Sequence, residues 1–144
     1  MTKEQQGEEE DKRNQDVALR YHEDIFQKGN LEVADEILSP DFVLHNTPLP
    51  EDLRKGPEGT KKYASAVITA VPDRKIVHED VFAKGEKVLI RWTNSGTNML
   101  LYNKTLFGNK PSGKQYVATG FDQFRISNGK IMEMWQQYNY DSWP

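Results

Sequence analysis

The stretch KQYVATGFDQFRISNGKIMEMWQQYNYD, residues 114–141, decides the fold. Asn128-Gly129 lies in its middle and is typical of a two-residue type I′ turn, because these residues tolerate the positive φ angles that both central positions need. Both flanks are rich in aromatic and β-branched residues and contain no proline, which is typical of strands. The sequence therefore predicts a β-hairpin near the end of the chain.

A two-residue turn also predicts which residues face each other across the hairpin. If Ser127 pairs with Lys130, Asp122 lies opposite Trp135, with Cβ atoms about 4.5–5.5 Å apart, and Phe124 lies on the same face. Burial in an apolar wall favours the protonated form of a carboxylate, which suits proton transfer near neutral pH. Asp122 is therefore the first catalytic candidate, and Trp135 and Phe124 are candidate substrate contacts.

The same strand pattern allows another interpretation. Glu133 and Gln137 are predicted on the face that carries Asp122. That face could be solvated, with the carboxylate paired to a lysine or arginine or pointing into water. A catalytic Asp122 therefore depends on the hairpin face being enclosed.

Composition limits the class of protein. The chain has 144 residues and a net charge of −3, enough for one domain with a real core. The absence of a basic stripe or polybasic segment argues against nucleic acid and anionic membranes. The absence of cysteine excludes disulfides, thiol catalysis and thiolate metal sites. No phosphate-binding loop, paired-histidine spacing or nucleophile elbow is present, so we expect neither a cofactor nor a metal. With no signal peptide or membrane-length apolar run, we expect a cytoplasmic protein.

The first half of the chain is predicted to be mostly helical. Residues 1–13 are polar and acidic and are expected to form a disordered tail, with a single domain over residues 14–144. Apolar residues at helical spacing then predict a helix from Asn14 to about Lys28, a short helix over 31–38 and a third from Gly56 to Val71. His22 lies beside the apolar face of the first helix, where it is either a partly exposed helix residue or a side chain that points into a pocket.

Strands dominate the second half. A short strand over 41–46 places His45 beside a proline-rich loop, a usual place for binding groups, and strands follow over 75–83 and 87–97. Helices followed by strands predict an α+β domain. A Gly85-Glu86 turn would place Asp80 opposite Arg91; this pair is worth only about 0–1 kcal/mol on an outer face, but inside a cavity Arg91 could orient an oxyanion.

Residues 98–112 are predicted to form a long loop, and its Met, Leu and Phe residues are apolar side chains that we expect to be shielded from water. They are expected to close a pocket or contact a second subunit. A strand extension with a surface turn is the alternative.

Short phrases spread along the chain match one known family in order and spacing. They are Tyr21-His22-Glu23, Lys28-Gly29-Asn30-Leu31, Asp41 to Asn46, Gly56-Pro57-Glu58-Gly59, Pro72-Asp73, Glu79-Asp80-Val81, Gly85 to Val88, Arg91-Trp92-Thr93, Gly96-Thr97, Gly113-Lys114, Gly120-Phe121-Asp122 and Asn128 to Ile131. Over residues 14–139 the chain resembles the SnoaL-like polyketide cyclases of the nuclear transport factor 2-like superfamily.

The resemblance implies a cone in which a curved antiparallel sheet and three N-terminal helices enclose a deep apolar pocket. It implies a homo-oligomer, a dimer or tetramer, that closes a polyketide by an aldol reaction without cofactor or metal. Asp122 falls on the general acid/base of the family, and His45 on a position that binds or orients a carbonyl. Asn98 stands where the family commonly has histidine, so it can donate a hydrogen bond but cannot shuttle protons.

The first functional hypothesis is a cofactor-independent cyclase, isomerase or dehydratase, of the lyase or isomerase type, acting on an apolar small molecule with a carbonyl group. Asp122 would move a proton α to that carbonyl. His45, Asn98 and Arg91 would stabilise the enolate oxygen, and Trp135 would exclude water from the acid.

Two other hypotheses remain open. The same fold could hold an apolar ligand or a partner chain without chemistry, as a binding or dimerisation module. Alternatively, Asp122 and Arg91 could activate water for epoxide hydrolysis, which would need a second carboxylate that reaches Arg91 inside the pocket.

Overall fold

The computed structural model describes residues 1–97, 113 and 115–139. Its helices are α1 (Lys3–Arg20), which continues into a π-helical segment (Tyr21–Gln27), α2 (Val33–Ile37) and α3 (Gly56–Ala70), with a 3₁₀ turn at Glu51–Leu53. Its strands are β1 (Leu38–His45), β2 (Lys75–Lys84), β3 (Lys87–Thr97), β4 (Gln115–Ser127) and β5 (Lys130–Tyr138). Among these residues, no helix is long and apolar enough to cross a membrane.

The described strands form one curved, open sheet in the order β1-β5-β4-β3-β2. Neighbours from β2 to β5 are antiparallel, whereas β1 runs parallel to β5, so the sheet is mixed rather than wholly antiparallel. The helices pack on one face of it, and the predicted α+β class with three N-terminal helices is confirmed.

The hairpin that organises the fold has the predicted turn. Asn128 and Gly129 have φ angles of 52° and 77°, as a type I′ turn requires. On β4 the even-numbered residues from Tyr116 to Ile126 are all buried, whereas Val117 and Phe121 on the other face are exposed. Because of this strict alternation, one face of β4 packs against the hydrophobic core and the other faces outward.

The predicted register of the hairpin is wrong beyond its first pairs. Ser127 faces Lys130 and Ile126 faces Ile131, but the next pair is Arg125 with Glu133. Met132 is therefore an extra residue, and this β-bulge shifts all later pairs by one position. Because side chains alternate between faces, a shift of one residue moves every following side chain of β5 to the opposite face.

The prediction that residues 1–13 form a disordered tail is corrected by the structure, in which α1 begins at Lys3. Thr2 and Gln5 form a reciprocal capping box that satisfies free amides at the start of the helix. Farther along, Asp11 accepts a hydrogen bond from the backbone N–H of Gly85 at 2.7 Å, and Asn14 donates to the carbonyl of Gly85 at 2.8 Å. The helix is thus fixed to the β2–β3 turn, although most side chains of residues 1–13 are exposed as expected.

The loop predicted over residues 98–112 lies outside the described residues, and so does Asn98.

The Gly85-Glu86 turn is confirmed, with Lys84 facing Lys87 and Asp80 facing Arg91. A second β-bulge lies between His78 and Asp80 on β2. It turns His78 toward the inner face of the sheet, where it pairs with Trp92, while Asp80 stays on the outer face.

Candidate active site

A cavity lies between the inner face of the sheet and the helices. It measures about 60 Å³, which is room for a few water molecules; with its open mouth, the space between the lining residues is about 650 Å³. Its lining residues are Tyr21, His22, Phe26, Tyr63, Val67, Arg74, Ile76, Trp92, Asn94, Ala118, Asp122, Gln136 and Tyr138. The cavity is mostly aromatic and aliphatic, with a few polar groups that converge on it, as is usual for small-molecule sites.

Asp122 contributes a buried carboxylate to this cavity, and 1% of the residue is exposed. Its Oδ2 atom lies 2.6 Å from Nε2 of His22, which is also buried. Its Oδ1 atom is buried and has no hydrogen-bond partner among the described residues. One oxygen is therefore held by a histidine, and the other is free to act as an acid or base on a bound molecule.

His22 belongs to a pair of histidines. Its Nδ1 atom lies 3.0 Å from Nε2 of His78, and the two rings stack with centroids 5.0 Å apart. Nδ1 of His78 lies 3.7 Å from the carboxylate of Glu23. Burial, reinforced by the neighbouring His22, lowers the pKa of His78 from 6.5 to about 4, so His78 is neutral at physiological pH.

The π-helical segment positions His22. Such segments are rare and often occur at functional sites. Arg74 donates hydrogen bonds to the carbonyls of Phe26 and Gln27, at the end of this segment where backbone acceptors lack helical partners. Gln27 in turn accepts from the N–H of Ile76 at 2.9 Å. These contacts join the segment to β2, the strand that carries His78.

Three further buried polar atoms on residues that line the cavity lack a hydrogen-bond partner among the described residues. They are Oη of Tyr21, Nε1 of Trp92 and Oε1 of Gln136. Buried polar groups are nearly always satisfied by protein or water, so these are the atoms to which a bound water or ligand would supply the missing partner. Burial raises the pKa of Tyr21 well above 10, so its O–H remains a donor.

Gly120 makes room for the indole of Trp92, which lines the same cavity as Asp122. A Cβ atom at this position would lie 2.5 Å from the Trp92 ring and 2.6 Å from the carbonyl oxygen of Gln137. Only glycine leaves room for the indole to lie against β4. The indole that shares the cavity with Asp122 therefore comes from β3, where it faces Gly120, and not from β5.

Trp135 and His45, two of the predicted site residues, lie on the other face of the sheet. The bulge places Trp135 opposite Gln123 instead of Asp122. Its ring stacks on His45 with centroids 5.1 Å apart, and His45 contacts Glu133 at 2.9 Å. Neither Trp135 nor His45 lines the cavity.

Glu133 belongs to this outer cluster and not to the face of Asp122. Its hydrogen bond with Arg125, and secondarily that with His45, lowers its pKa below the usual range. The alternative of a solvated hairpin face therefore describes the outer side of the hairpin, where Glu133 and Gln137 lie, and not the side of Asp122.

Arg91 and Phe124 also lie away from the cavity wall. Arg91 donates to Asp80 at 2.7 Å, with 45% of each side chain exposed. Both residues lie on the outer face, so Arg91 does not share the cavity with Asp122, as the epoxide-hydrolysis hypothesis required. Phe124 is fully buried and contacts the rings of Tyr21 and His22 from the core. It supports the site from behind and does not line it.

Several polar or aromatic residues in or next to the cavity were not predicted as site residues. They include Tyr21, Arg74, His78, Trp92 and Gln136. Trp92 could have been found, because it alternates with Val88 and Ile90 on the inner face of β3. His78 lies beside the bulge on β2, and Gln136 follows the bulge on β5. No local signal in the sequence indicates either bulge. Among the described residues, no group of His, Cys, Asp and Glu side chains could hold a metal ion.

His78 gives a prediction for stability. The unfolded chain takes up a proton on this residue below its ordinary pKa of 6.5, whereas the folded chain keeps it neutral down to about 4. The unfolded state therefore binds more protons in this window, and the free energy of unfolding should decrease as pH falls from about 6.5 to about 4. Urea unfolding at several pH values would measure this loss. His78→Gln should show a shallower loss, and an identical slope in both proteins would contradict the assignment.

The curved, open sheet with helices on one face has the nuclear transport factor 2-like fold, and Asp122 is a buried acid on its inner side. The sequence profile of the SnoaL-like polyketide cyclases matches residues 16–142, and the chain belongs to this family. No curated protein matches the sequence.

Solved structures agree in fold. TsrD from Streptomyces laurentii has 21% identity and a TM-score of 0.71, with 86% of this chain and 87% of that chain covered. A protein from Jannaschia sp. CCS1 assigned as a SnoaL-like polyketide cyclase has 19% identity and a TM-score of 0.72, with 90% and 88% covered. IdmH from Streptomyces antibioticus, assigned as a polyketide cyclase, has 22% identity and a TM-score of 0.70, with 90% and 94% covered. The family supports a cyclase-like function, and these neighbours show the fold.

Proposed function

We propose that the protein is a cofactor-independent enzyme that moves a proton α to a carbonyl group of an apolar small molecule, in an aldol cyclisation, isomerisation or dehydration. The observation that carries this proposal is the free, buried Oδ1 atom of Asp122 in a cavity, with the other oxygen held by His22. A general acid/base must reach the proton that it transfers and must be shielded from bulk water. Asp122 is shielded from bulk water and lines the cavity in which that proton would lie, which supports the proposal.

The enolate oxygen needs hydrogen-bond donors that are already in place. His45 and Arg91 lie on the outer face, so they are replaced in this proposal by the Nε1–H of Trp92 and the O–H of Tyr21. Both atoms are buried and unpartnered in the cavity wall. The substrate carbonyl would accept from one or both donors while its α carbon faces Asp122. The unpartnered Oε1 of Gln136 would accept a hydrogen bond from a substrate hydroxyl.

The dimensions of the cavity limit how the substrate binds. A cavity of about 60 Å³ has room for the reacting end of a molecule and not for a polycyclic body. Pockets that enclose drug-sized ligands measure about 300–1,000 Å³. The remainder of the substrate would extend through the mouth of the cavity. The aromatic wall suits a flat, unsaturated chain or ring.

A binding module without chemistry is the second candidate. The small size of the cavity favours the binding module, because a cavity with room for only a few water molecules is also found in proteins that act as scaffolds. The Oδ1 atom of Asp122, which has no hydrogen-bond partner among the described residues, and the buried donors in the same cavity favour catalysis. A site that only encloses an apolar ligand has no use for a buried carboxylate, which is costly. Turnover of a probe separates the two.

Deuterium exchange provides that test. A series of β-keto thioesters in D₂O should exchange the α proton faster with the protein than without it, as observed by proton NMR. Trp92→Phe keeps the ring but removes the donor and should slow this catalysis by about 10²-fold, the usual effect of losing one oxyanion donor. Exchange at the background rate across the series, with thioesters that bind, would support the binding module and reject the enzyme.

We also propose that the protein forms a homo-oligomer through the outer face of the sheet. This face carries large exposed side chains, with 65% of Phe82, 59% of Val117 and 46% of Phe121 accessible. Apolar surface of this kind is typical of contact sites. Sedimentation should show a dimer or tetramer that Phe121→Glu disrupts, whereas a monomer at all concentrations would refute the proposal.

A further inference from the structure

Four titratable groups connect the buried acid to solvent. Asp122 contacts His22 at 2.6 Å, His22 contacts His78 at 3.0 Å, and His78 lies 3.7 Å from Glu23. The exposed fraction of the side chain rises along this series, from 2% for Asp122 through 6% and 14% for the histidines to 54% for Glu23. The chain of contacts begins at the reactive group and ends in water.

We propose that His22, His78 and Glu23 form a proton relay that exchanges protons between Asp122 and solvent while the cavity is occupied. The proposal rests on the proposed function of Asp122. Neither His78 nor Glu23 lines the cavity, so this route remains open when a substrate fills it. A closed site of this kind otherwise isolates its acid from water.

The proposed relay starts with an ionised Asp122 and with protons on both ring nitrogens of His22, one shared with Oδ2 of Asp122 and one directed at Nε2 of His78. His78 carries its proton on Nδ1. When the substrate proton arrives on Oδ1 of Asp122, the Nδ1 proton of His22 moves to Nε2 of His78. The Nδ1 proton of His78 moves to Glu23 or to water. One proton has entered and one has left, and the reverse sequence restores the starting state.

This sequence keeps the charge of the buried groups constant. The ionised acid and the protonated histidine sum to zero before the transfer, and the neutral acid and neutral histidine sum to zero after it. An uncompensated charge in the interior is costly. By releasing one proton as another arrives, the relay allows Asp122 to act as a base without leaving a lone cation on His22.

His78 suits the middle position of the relay. The charged and titratable groups that face it are His22 and Glu23 from the π-helical segment and Asp122 from β4. Its low pKa of about 4 means that one ring nitrogen carries a proton and the other can accept one, as a shuttle requires. The stacked geometry, with 24° between the ring planes, holds Nε2 toward His22.

A merely positional role for His78 is the alternative, in which it only orients the His22 ring. Two replacements separate the roles. His78→Gln keeps a polar group that can hydrogen-bond His22 but cannot take up and release a proton, whereas His78→Phe keeps a ring of similar size without nitrogen. A positional role predicts that glutamine restores the behaviour of the natural protein, and a relay predicts that it does not.

The experiment follows the Nδ1 proton of His22, which is directed at His78, by NMR on protein labelled with ¹⁵N at its three histidines, without substrate. Saturation transfer from water measures how fast this proton exchanges with solvent. Both His78 variants should slow the exchange by about tenfold or more, on the scale of lost acid/base assistance. Unchanged signals of the outer-face His45 would show that the fold is intact. Exchange in His78→Gln at the natural rate would overturn the relay.

Glu23→Gln provides a second test that does not disturb the core, since 54% of this side chain is exposed. Exchange should slow, and acetate in the buffer should restore it by replacing the lost carboxylate. No effect of either change would contradict the role of Glu23 as the outlet. Because these measurements need no substrate, failure of the relay is distinct from failure of the proposed enzyme activity, which the thioester assay decides.

Discussion

Replacing Asp122 with asparagine is expected to reduce catalysed deuterium exchange of a β-keto thioester by at least about 10²-fold, the contribution typical of a general acid/base. The asparagine side chain has the same shape, fills the same buried position and can still hydrogen-bond His22, but it cannot take up a proton at the position of Oδ1. The loss should appear in kcat rather than in KM, because the ground-state contacts of the substrate are retained. The measurement is the rate of α-proton loss by NMR at saturating probe.

The matched control for this prediction is His45→Gln on the outer face. His45 is the other predicted catalytic residue, and its ring contacts Trp135 and Glu133 instead of the cavity. This variant should keep its rate within about twofold, as a surface change away from the site does. Loss of activity in His45→Gln with activity retained in Asp122→Asn would reverse the assignment of the site.

Replacing Phe124 with alanine should cost about 3–5 kcal/mol of unfolding free energy, the usual range for a buried phenylalanine. The ring is fully buried and contacts Tyr21 at 5.5 Å and His22 at 6.0 Å between centroids. Its removal leaves a cavity directly behind the site. Urea unfolding gives the loss of stability, and the Asp122–His22 contact should loosen in the same variant.

Phe121→Ala on the same strand is the control. Phe121 faces outward with 46% of the residue exposed, so its loss should cost about 1 kcal/mol or less when measured below the concentration at which the chain self-associates. Equal costs for the two phenylalanines would mean that the alternation of β4 is misassigned. A small loss of unfolding free energy in Phe124→Ala would indicate that Phe124 contacts the substrate, as the sequence suggested, and is not part of the core.

Local signals predicted much of the architecture. The Asn128-Gly129 turn, the Gly85-Glu86 turn and the alternation of β4 depend on short-range backbone preferences, and each is confirmed. Asp122 follows from the same alternation, since it shares a face with Phe124 and Ile126. The start of α1 was missed because its stability depends on contacts of Asp11 and Asn14 with a turn about seventy residues away.

Strand alternation, turn chemistry and helical periodicity are local properties of the chain, so the amino-acid sequence was enough to predict the class of fold and the family and to indicate Asp122 and His22. The groups that surround the acid became known from the folded structure. The bulge at Met132 moves Trp135 and His45 to the outer face, while Trp92 and His78 reach the inner face from other strands. A bulge depends on how whole strands fit together, and the Asp122–His22 contact joins residues one hundred positions apart; neither is encoded in a short stretch of residues.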